Sequence, residues 1–338
     1  MRLMLIGFGN IGRGLARTLL RKGKFLRSSH GISSRVVAVV DEYGAAIDER
    51  GLGLKKLLST AERTGSVASY PGKGERGKSA VDVIESVDVD VVFELTPTNI
   101  KSGEPGLTHL QRAMRKGLHV ITSNKGPLVV AFSKLDKLAN RTGVEFRYSA
   151  SVGGAVPILG LARRLLAGDE VRAIRGVLNG TTNYILTRMS REGVPFDVVL
   201  HEAQEMGVAE KDPTLDIEGI DTACKVAILA NALLDMDVKL KDVRVTGIDR
   251  IRPEVTRLAQ EAGDTVKLIG VASRDLLEVA PRLVPVGHPL AVGGTLNAIT
   301  LETDLAREIS ITGFGAGSWE TSSALIGDLI DIHRSIEA

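Results

Sequence analysis

A chain of 338 residues is long enough for two domains with full cores, at ~100–200 residues per domain. A formal net charge of +2 and an aromatic content of 4% argue against nucleic acid as a partner, since they supply neither a basic face nor rings for stacking on bases. No apolar run approaches the ~20 residues that cross a bilayer, so no membrane association is expected. Cys224 is the only cysteine, which excludes an internal disulfide and fits a reducing cytoplasm. The six histidines form no short-spaced ligand pair, so no transition-metal site is expected.

The opening MRLMLIGFGNIG reads as a strand and turn rather than a secretion signal. The apolar run at 2–6 ends at Gly7, Gly9 and Gly12, spaced G-x-G-x-x-G, and a helical pattern follows in RGLARTLLRKG. Glycines there let the chain turn sharply and bring backbone N–H groups, those of Asn10 and Ile11 included, onto a pyrophosphate at the helix start. The hexapeptide is weak by itself; the strand before it and the helix after it supply the context a dinucleotide site needs. The strand VVAVVD ends on Asp41, 29 residues after Gly12 instead of the usual ~20, and an inserted loop KGKFLRSSHGISSR accounts for the excess. A carboxylate at that strand end suits ribose hydroxyls and repels a 2′-phosphate, leaning toward NAD. Lys55 and Lys56 are able to reach such a phosphate, so NAD and NADP both stay open, and Asp41 also reads as a plain turn acid.

DVVFELT at 90–96 is near-continuously apolar, as a strand covered on both faces should be, and runs into Thr96 at the carboxyl edge where cofactors bind. A helix at about 104–116, the strand HVITSN at 119–124, a helix at about 131–142 and the strand VEFRYS at 144–149 follow. This alternation predicts an α/β, Rossmann-type, doubly wound parallel sheet over residues 1–150. Ser123 lies at the end of that strand and Lys125 directly after it, in the turn Asn124-Lys125-Gly126-Pro127, next to the expected nicotinamide crevice; a merely solvated turn lysine is the alternative.

At SVGGAVPILG the alternation stops, which sets a domain boundary near 150. The strand VRAIRGVL (171–178) leads into NGTTNYILTRM, where Gly180 and Thr181 offer an N–H and a hydroxyl at a helix start, suited to a carboxylate or simply to capping. The stretch EKDPTLDIEGIDTACK sets Glu210, Asp212, Asp216, Glu218 and Asp221 ahead of Lys225. Pro213 bars a helix through its beginning, so an acidic loop runs into a helix from about Gly219. Asp221 and Lys225, four apart, share one helix face. They form either a surface ion pair worth roughly 0.3–0.5 kcal/mol or a carboxylate that orients an ammonium for proton transfer. Strands at 266–273 and 276–285, antiparallel about Arg274-Asp275, and at 297–304 and 308–317 predict an α+β substrate-binding and dimerisation domain with a mixed sheet over 151–310. Residues 311–338, a glycine turn and a helix, are expected to complete the first domain, with Gly315 closing over the cofactor.

Taken together, GFGNIG, the ELT strand end, SNK, SVGGAVP, NGTTNYIL, DPTLDIEGIDTACK, GHPLAVGGTLNAI and GFGAG with TSSALIGDLI resemble homoserine dehydrogenase almost end to end. The resemblance implies an NAD(P)-dependent interconversion of L-homoserine and L-aspartate 4-semialdehyde, a step of threonine, methionine and isoleucine biosynthesis. It points to Lys225 and Lys125 as the lysines flanking the reacting oxygen, to Asp221 as their orienting carboxylate, and to Glu210 and Asp216 as ligands of the substrate's amino group and hydroxyl. A sheet-mediated homodimer is implied as well. The family commonly holds a monovalent cation, sodium or potassium, with a Glu and backbone carbonyls. Ser149 stands at the Glu position here, leaving the carbonyls of Val152, Gly154 and Val156. The chain stops after its closing helix, so the resemblance is to the short form without an ACT domain.

In the reductive direction a protonated Lys225 would donate to the aldehyde oxygen while Lys125 stabilises developing negative charge. Oxidation needs a neutral lysine, and lysine amines in general lose their proton near ~10.4, so oxidation is expected to run fastest in alkaline buffer. Two other readings predict different behaviour. Another two-domain NAD(P)-dependent amino-acid dehydrogenase would turn over a different amino acid. A non-catalytic NAD-sensing regulator would show a basic stripe or a helix-turn-helix, and neither is visible.

Overall fold

In the computed structural model, which describes residues 1–337, the apolar run Arg2–Ile6 forms β1, buried from Leu3 onward. The glycine turn feeds α1 (Asn10–His30), and Gly31, at φ 71°, closes that helix with a left-handed cap. Then follow β2 (Arg35–Asp41), β3 (Gly44–Ile47), α2 (Leu54–Thr64), β4 (Gly74–Arg76), α3 (Ala80–Ser86) and β5 (Val91–Glu94). After these come α4 (Gly106–Arg115), β6 (His119–Thr122), α5 (Lys125–Thr142) and β7 (Phe146–Arg147). The sheet order is β4-β3-β2-β1-β5-β6-β7. Strands β2, β1, β5, β6 and β7 are mutually parallel, whereas β3 and β4 add an antiparallel edge that the sequence pattern did not suggest. Because the chain leaves β1 for β2 on one side and returns to β5 on the other, the carboxyl ends of β1 and β5 flank a topological switch point.

The C-terminal helix, Ser318–Glu337, belongs to this unit, which comprises 1–151 and the residues from Gly317 onward. Leu325, Leu329 and Ile332 join Leu15, Leu19 and Leu26 of α1 in one buried cluster. Each such side chain contributes about 1.5–3 kcal/mol of burial. Gly14 permits the close crossing, since a Cβ there would collide with the Ser318 hydroxyl.

Three expectations change. Strand β7 covers only Phe146–Arg147 instead of 144–149, because Ser149 donates its N–H (3.0 Å) and hydroxyl (2.7 Å) to Asp328 of the C-terminal helix and turns out of the ladder. Helix α5 begins at Lys125, not near 131. The Asn124 side chain caps it by accepting the Gly126 N–H at 2.9 Å, and Pro127 sits in the first turn, where its missing N–H costs nothing. A kink at Ala131 (φ −144°) separates that first stretch from the regular helix read in the sequence. Finally, the segment expected from 311 joins the first unit only from Gly317, because Ile311–Phe314 complete a strand of the second sheet. Ala338, the last residue of that expected segment, lies outside the described residues.

The second unit, 152–316, opens with α6 (Ile158–Gly160), which runs into a wide turn at Leu161–Leu165. It continues with β8 (Val171–Val177), α7 (Gly180–Glu192), α8 (Phe196–Glu205), α9 (Thr214–Ile217), α10 (Ile220–Leu233), β9 (Arg244–Val245) and α11 (Pro253–Glu261). Four long strands end it: β10 (Asp264–Ser273), β11 (Leu277–Pro285), β12 (Leu296–Thr303) and β13 (Glu308–Phe314). Their order is β13-β12-β8-β10-β11-β9, antiparallel except for the parallel pair β9 and β11, so the sheet is mixed. Helices α7, α10 and α11 lie against β10. Among the described residues no helix is long and apolar enough to cross a membrane.

Candidate active site

In the second unit, helix α10 is internal: every residue from Thr222 to Asn231 is buried. That settles how Asp221 and Lys225 meet. The Lys225 ammonium, 7% exposed, donates to Asp221 Oδ2 at 2.7 Å and to the Leu178 carbonyl at 2.6 Å. A surface pair of long side chains gains little because water screens it; here water is largely excluded and two oxygen acceptors fix the ammonium. The carbonyl comes from Leu178, between the end of β8 and Asn179, so the strand's exit and the helix hold the amine from two sides.

Asn179 ties the rest together. Its Oδ1 accepts the Thr182 N–H at 2.9 Å, capping α7, while its Nδ2 donates to Asp216 Oδ1 at 2.6 Å and to Asp221 Oδ2 at 3.0 Å. One amide thus sets a helix start and spaces two carboxylates. Burial pushes the Asp216 carboxyl above its ordinary value and the neighbouring Asp221 charge adds to the rise, while Asn179 and Lys225 act the other way. Thr181 donates its hydroxyl to the Val208 carbonyl at 3.0 Å, and Gly180 lies close under Thr295, whose carbonyl oxygen would sit 2.9 Å from a Cβ there. Lys225, Asp221, Asp216, Thr181 and Gly180 therefore gather around Asn179, a residue that sequence reasoning passed over; its signal was an Asn directly before Gly-Thr-Thr at a strand end. Glu210 is different. It is exposed in the loop before α9, where its carbonyl accepts from Gln204 Nε2 at 3.2 Å. A cavity of about 620 Å³ in this unit, lined by Ala162 and Asp304 among others, shares no residue with the group.

In the first unit the glycine turn is shaped by collisions that side chains would cause. Gly7 has φ +96°, and a Cβ on it would lie 2.6 Å from the Leu95 carbonyl oxygen; one on Gly12 would strike the Gly7 carbonyl. A Cβ on Gly9 would meet nothing within 4 Å, so the backbone there faces open space. Helix α1 starts from Gly9 with no side-chain cap and no acid in its first turn, which leaves the N–H groups of Asn10 and Ile11 and the positive helix end for an anion. A pyrophosphate fits this cradle. Asp41, at the end of β2, already accepts three hydrogen bonds: Tyr43 N–H (2.9 Å), the Ser66 hydroxyl (3.1 Å) and Val67 N–H (2.6 Å). It closes its own turn at the carboxyl end of β2.

Glu94 was also missed. It ends β5 fully buried, accepts from the Thr96 N–H (3.1 Å), the Thr96 hydroxyl and the Thr122 hydroxyl (3.2 Å), and has His109 Nδ1 at 3.6 Å. Asn124 in turn donates to Thr96 Oγ1 at 3.2 Å. This network fixes the strand end carrying Thr96 and the helix start carrying Lys125, with half-buried Ser123 between β6 and the cap. A lone acid inside an apolar strand was its signal.

Gly315 lies in the second unit, stacked on the backbone of Gly154 (φ +54°) and against the Asn297 amide. Asn297 is 1% exposed, and neither of its amide atoms has a hydrogen-bond partner among the described residues. For a monovalent cation the nearby loop offers carbonyl oxygens, and that of Val156 already accepts the Ile158 N–H at 2.9 Å. Ser149 supplies no carboxylate and donates to Asp328. Such a donor set is neutral, and no step of the chemistry is assigned to a cation. Among the described residues no cluster of three or more His, Cys, Asp or Glu side chains gathers to hold a metal ion.

Comparison with known proteins agrees over nearly the whole chain. Residues 7–149 match the model of the homoserine dehydrogenase NAD-binding domain, and residues 157–330 match that of homoserine dehydrogenase itself. A homoserine dehydrogenase from Methanocaldococcus jannaschii is 50% identical over 335 residues, covering 99% of each chain. An NAD(+)-dependent homoserine dehydrogenase from Pseudomonas canavaninivorans is 36% identical over 99% of this chain and 96% of its own. A hyperthermophilic archaeal homoserine dehydrogenase solved with NADPH is 27% identical and superposes with a TM-score of 0.84 over 99% of this chain and 98% of that one. With a glycine cradle for NAD or NADP in one unit and a buried lysine–carboxylate group in the other, the chain belongs to the homoserine dehydrogenase family, the NAD(P)-dependent oxidoreductases that interconvert L-homoserine and L-aspartate 4-semialdehyde.

Proposed function

We propose that Lys225 is the proton carrier of this reaction and that Asp221 and the Leu178 carbonyl orient its amine. The observation that carries this reading is an ammonium 7% exposed with two oxygen acceptors within 2.7 Å. Bound NAD(P) supplies the hydride acceptor or donor. In reduction Lys225 gives a proton to the aldehyde oxygen as that oxygen becomes a hydroxyl; in oxidation its neutral amine takes the hydroxyl proton. Lys125, at the first position of α5, stabilises negative charge on the same oxygen. Asp216, with Glu210 from its exposed loop, receives the substrate's amino group and hydroxyl, and the α7 start at Gly180 and Thr181 receives its carboxylate.

On the cofactor side, Gly7, Gly9, Asn10, Ile11 and Gly12 hold the pyrophosphate, Asp41 the adenosine ribose, and Thr96, Ser123, Lys125 and Gly315 the nicotinamide end. The Asp41 charge at the β2 end disfavours a 2′-phosphate, so NAD is the preferred cofactor. A monovalent cation would be held by the neutral carbonyls of Val152, Gly154 and Val156 alone, so exchanging sodium for potassium should change turnover little. The working form is a cytoplasmic homodimer built on the second unit's sheet, on which Leu283 and Phe314 are 60% and 53% exposed.

The test is NADH or NADPH formation from L-homoserine, run with each cofactor, on the wild type and Lys225→Ala. A positioned acid or base contributes ~10²–10⁴, so the variant should lose at least about a hundredfold in kcat while keeping its fold and its affinity for NAD. A loss below about tenfold would return Lys225 to a purely structural ion pair.

A further inference from the structure

A second group of cations in the second unit has no part in the reading above. Lys267, on β10, is 2% exposed, and its ammonium donates only to neutral oxygens, Asn183 Oδ1 at 2.8 Å and Thr187 Oγ1 at 3.2 Å. Among the described residues no carboxylate lies within ion-pair distance of it. A buried ammonium without a counter-charge is costly, and water-like partners compensate only in part. The second observation is independent. Ser190, 7% exposed on the same side of α7, has a buried hydroxyl with no hydrogen-bond partner among the described residues. Both residues line one cavity of about 220 Å³, together with Thr187, Arg191, Asp264 and Gly293. Arg191 is exposed, and its Nη2 lies 3.2 Å from where a Cβ on Gly293, another lining residue, would be.

We propose that this cavity is a binding site for a small oxyanion, a carboxylate in the first place, held by the Lys267 ammonium, the Ser190 hydroxyl and the Arg191 guanidinium. All three donor residues line the cavity, and an ionised carboxylate is acceptor-only, with about four lone-pair sites to meet them. The volume matches about seven waters at ~30 Å³ each, which admits a short carboxylic acid, an amino acid or inorganic phosphate and excludes a nucleotide. Asp264, which also lines the cavity, offers a carboxylate to the ammonium of an amino acid. Burial, with the Arg191 charge adding to it, pushes the Lys267 amine down to about 8, the behaviour of a cation that lacks its anion. The site is separate from the Lys225 group: Ser190 lies nine residues along α7 from Thr181, ~13 Å at 1.5 Å per residue.

The experiment titrates the full-length protein with sodium acetate, glycine or sodium phosphate at constant pH and ionic strength, reading the unfolding midpoint and the heat of binding. At least one anion should raise the midpoint saturably, and the arm that does so identifies the source: plain carboxylate, amino acid or phosphate. Half-saturation should shift about tenfold or more upward in Arg191→Ala and Ser190→Ala, and the response should vanish in Lys267→Met. Arg191→Ala removes an exposed side chain, so it keeps the comparison valid even where Lys267→Met folds poorly. No saturable response to any of the three, or an equal half-saturation in wild type and Arg191→Ala, would overturn the proposal.

Discussion

Asp216 shows how a single carboxylate reports on the site. Burial holds its pKa above the ordinary carboxylate range, with Asp221 pushing the same way. In the proposed role, holding a substrate ammonium, it must be ionised. As pH falls through that raised value the free enzyme should therefore lose kcat/KM for homoserine, with an acid limb lying above where a solvated Asp would place it. In Asp216→Asn the limb should disappear, and KM should rise roughly tenfold to a hundredfold from the loss of a charge-assisted hydrogen bond. An Asn variant that keeps the same acid limb would assign the titration elsewhere. At this scale the sequence was informative about chemistry and silent about depth. The four-residue spacing of Asp221 and Lys225 put them on one helix face, but spacing does not say which face is buried, and α10 turned out to be buried all round. Asn179 and Glu94 escaped because an amide before a helix and an acid in a strand have ordinary local roles; their reach across to other elements is a tertiary fact.

At the level of elements, the start of α7 is both a structural cap and part of the site, and the two roles are separable. Replacing Asn179 by Ala removes the cap on the Thr182 N–H, worth ~1 kcal/mol, and also leaves Asp216 and Asp221 without the amide between them. Asn179→Ser should keep most of the cap and lose the bridge. The expected outcome is near-wild-type stability for the Ser variant, a drop of about 1 kcal/mol in urea unfolding for the Ala variant, and a comparable loss of homoserine turnover, at least tenfold, in both. Recovery of activity in the Ser variant would reduce Asn179 to a capping residue. The strands were legible wherever burial on both faces made the run apolar, as in β2 and β5, although β5 spans only Val91–Glu94 of the run read as 90–96. The β3–β4 edge was not: GAAI and GER carry no alternation, and their pairing is set by the turns around Tyr43 and Lys73. Helix α5 was read late because its first turn contains Gly126-Pro127, residues that signal a turn in sequence and are tolerated where the N–H groups are unsatisfied anyway.

At the level of the whole chain, the first unit closes on itself through its far end, and the contact that does so is titratable. Asp328 of the C-terminal helix is fully buried where it receives the Ser149 N–H and hydroxyl, and burial pushes its carboxyl up to about 6, against the hydrogen bonds from Ser149. The sequence marked Ser149 only as a position where a carboxylate was missing; its partner, 179 residues away, is invisible to any local pattern. Between the unfolded value of ~4 and about 6 the native state holds a proton that the unfolded chain has released, so stability falls as pH rises through this window. The contribution is fully present below pH ~4 and lost above about 6, amounting to at most roughly 3 kcal/mol at ~1.36 kcal/mol per pKa unit. Asp328→Asn removes the charge and keeps both contacts, since its oxygen can accept the Ser149 N–H while its amide donates to the hydroxyl. Denaturant midpoints measured from pH 4 to 8 should fall more steeply across pH 4–6 in the wild type than in Asp328→Asn, and the variant should be at least as stable as the wild type at pH 7.5. Parallel profiles for the two proteins would mean that Asp328 stays ionised in the native state and that the Ser149 hydrogen bonds, not burial, govern it.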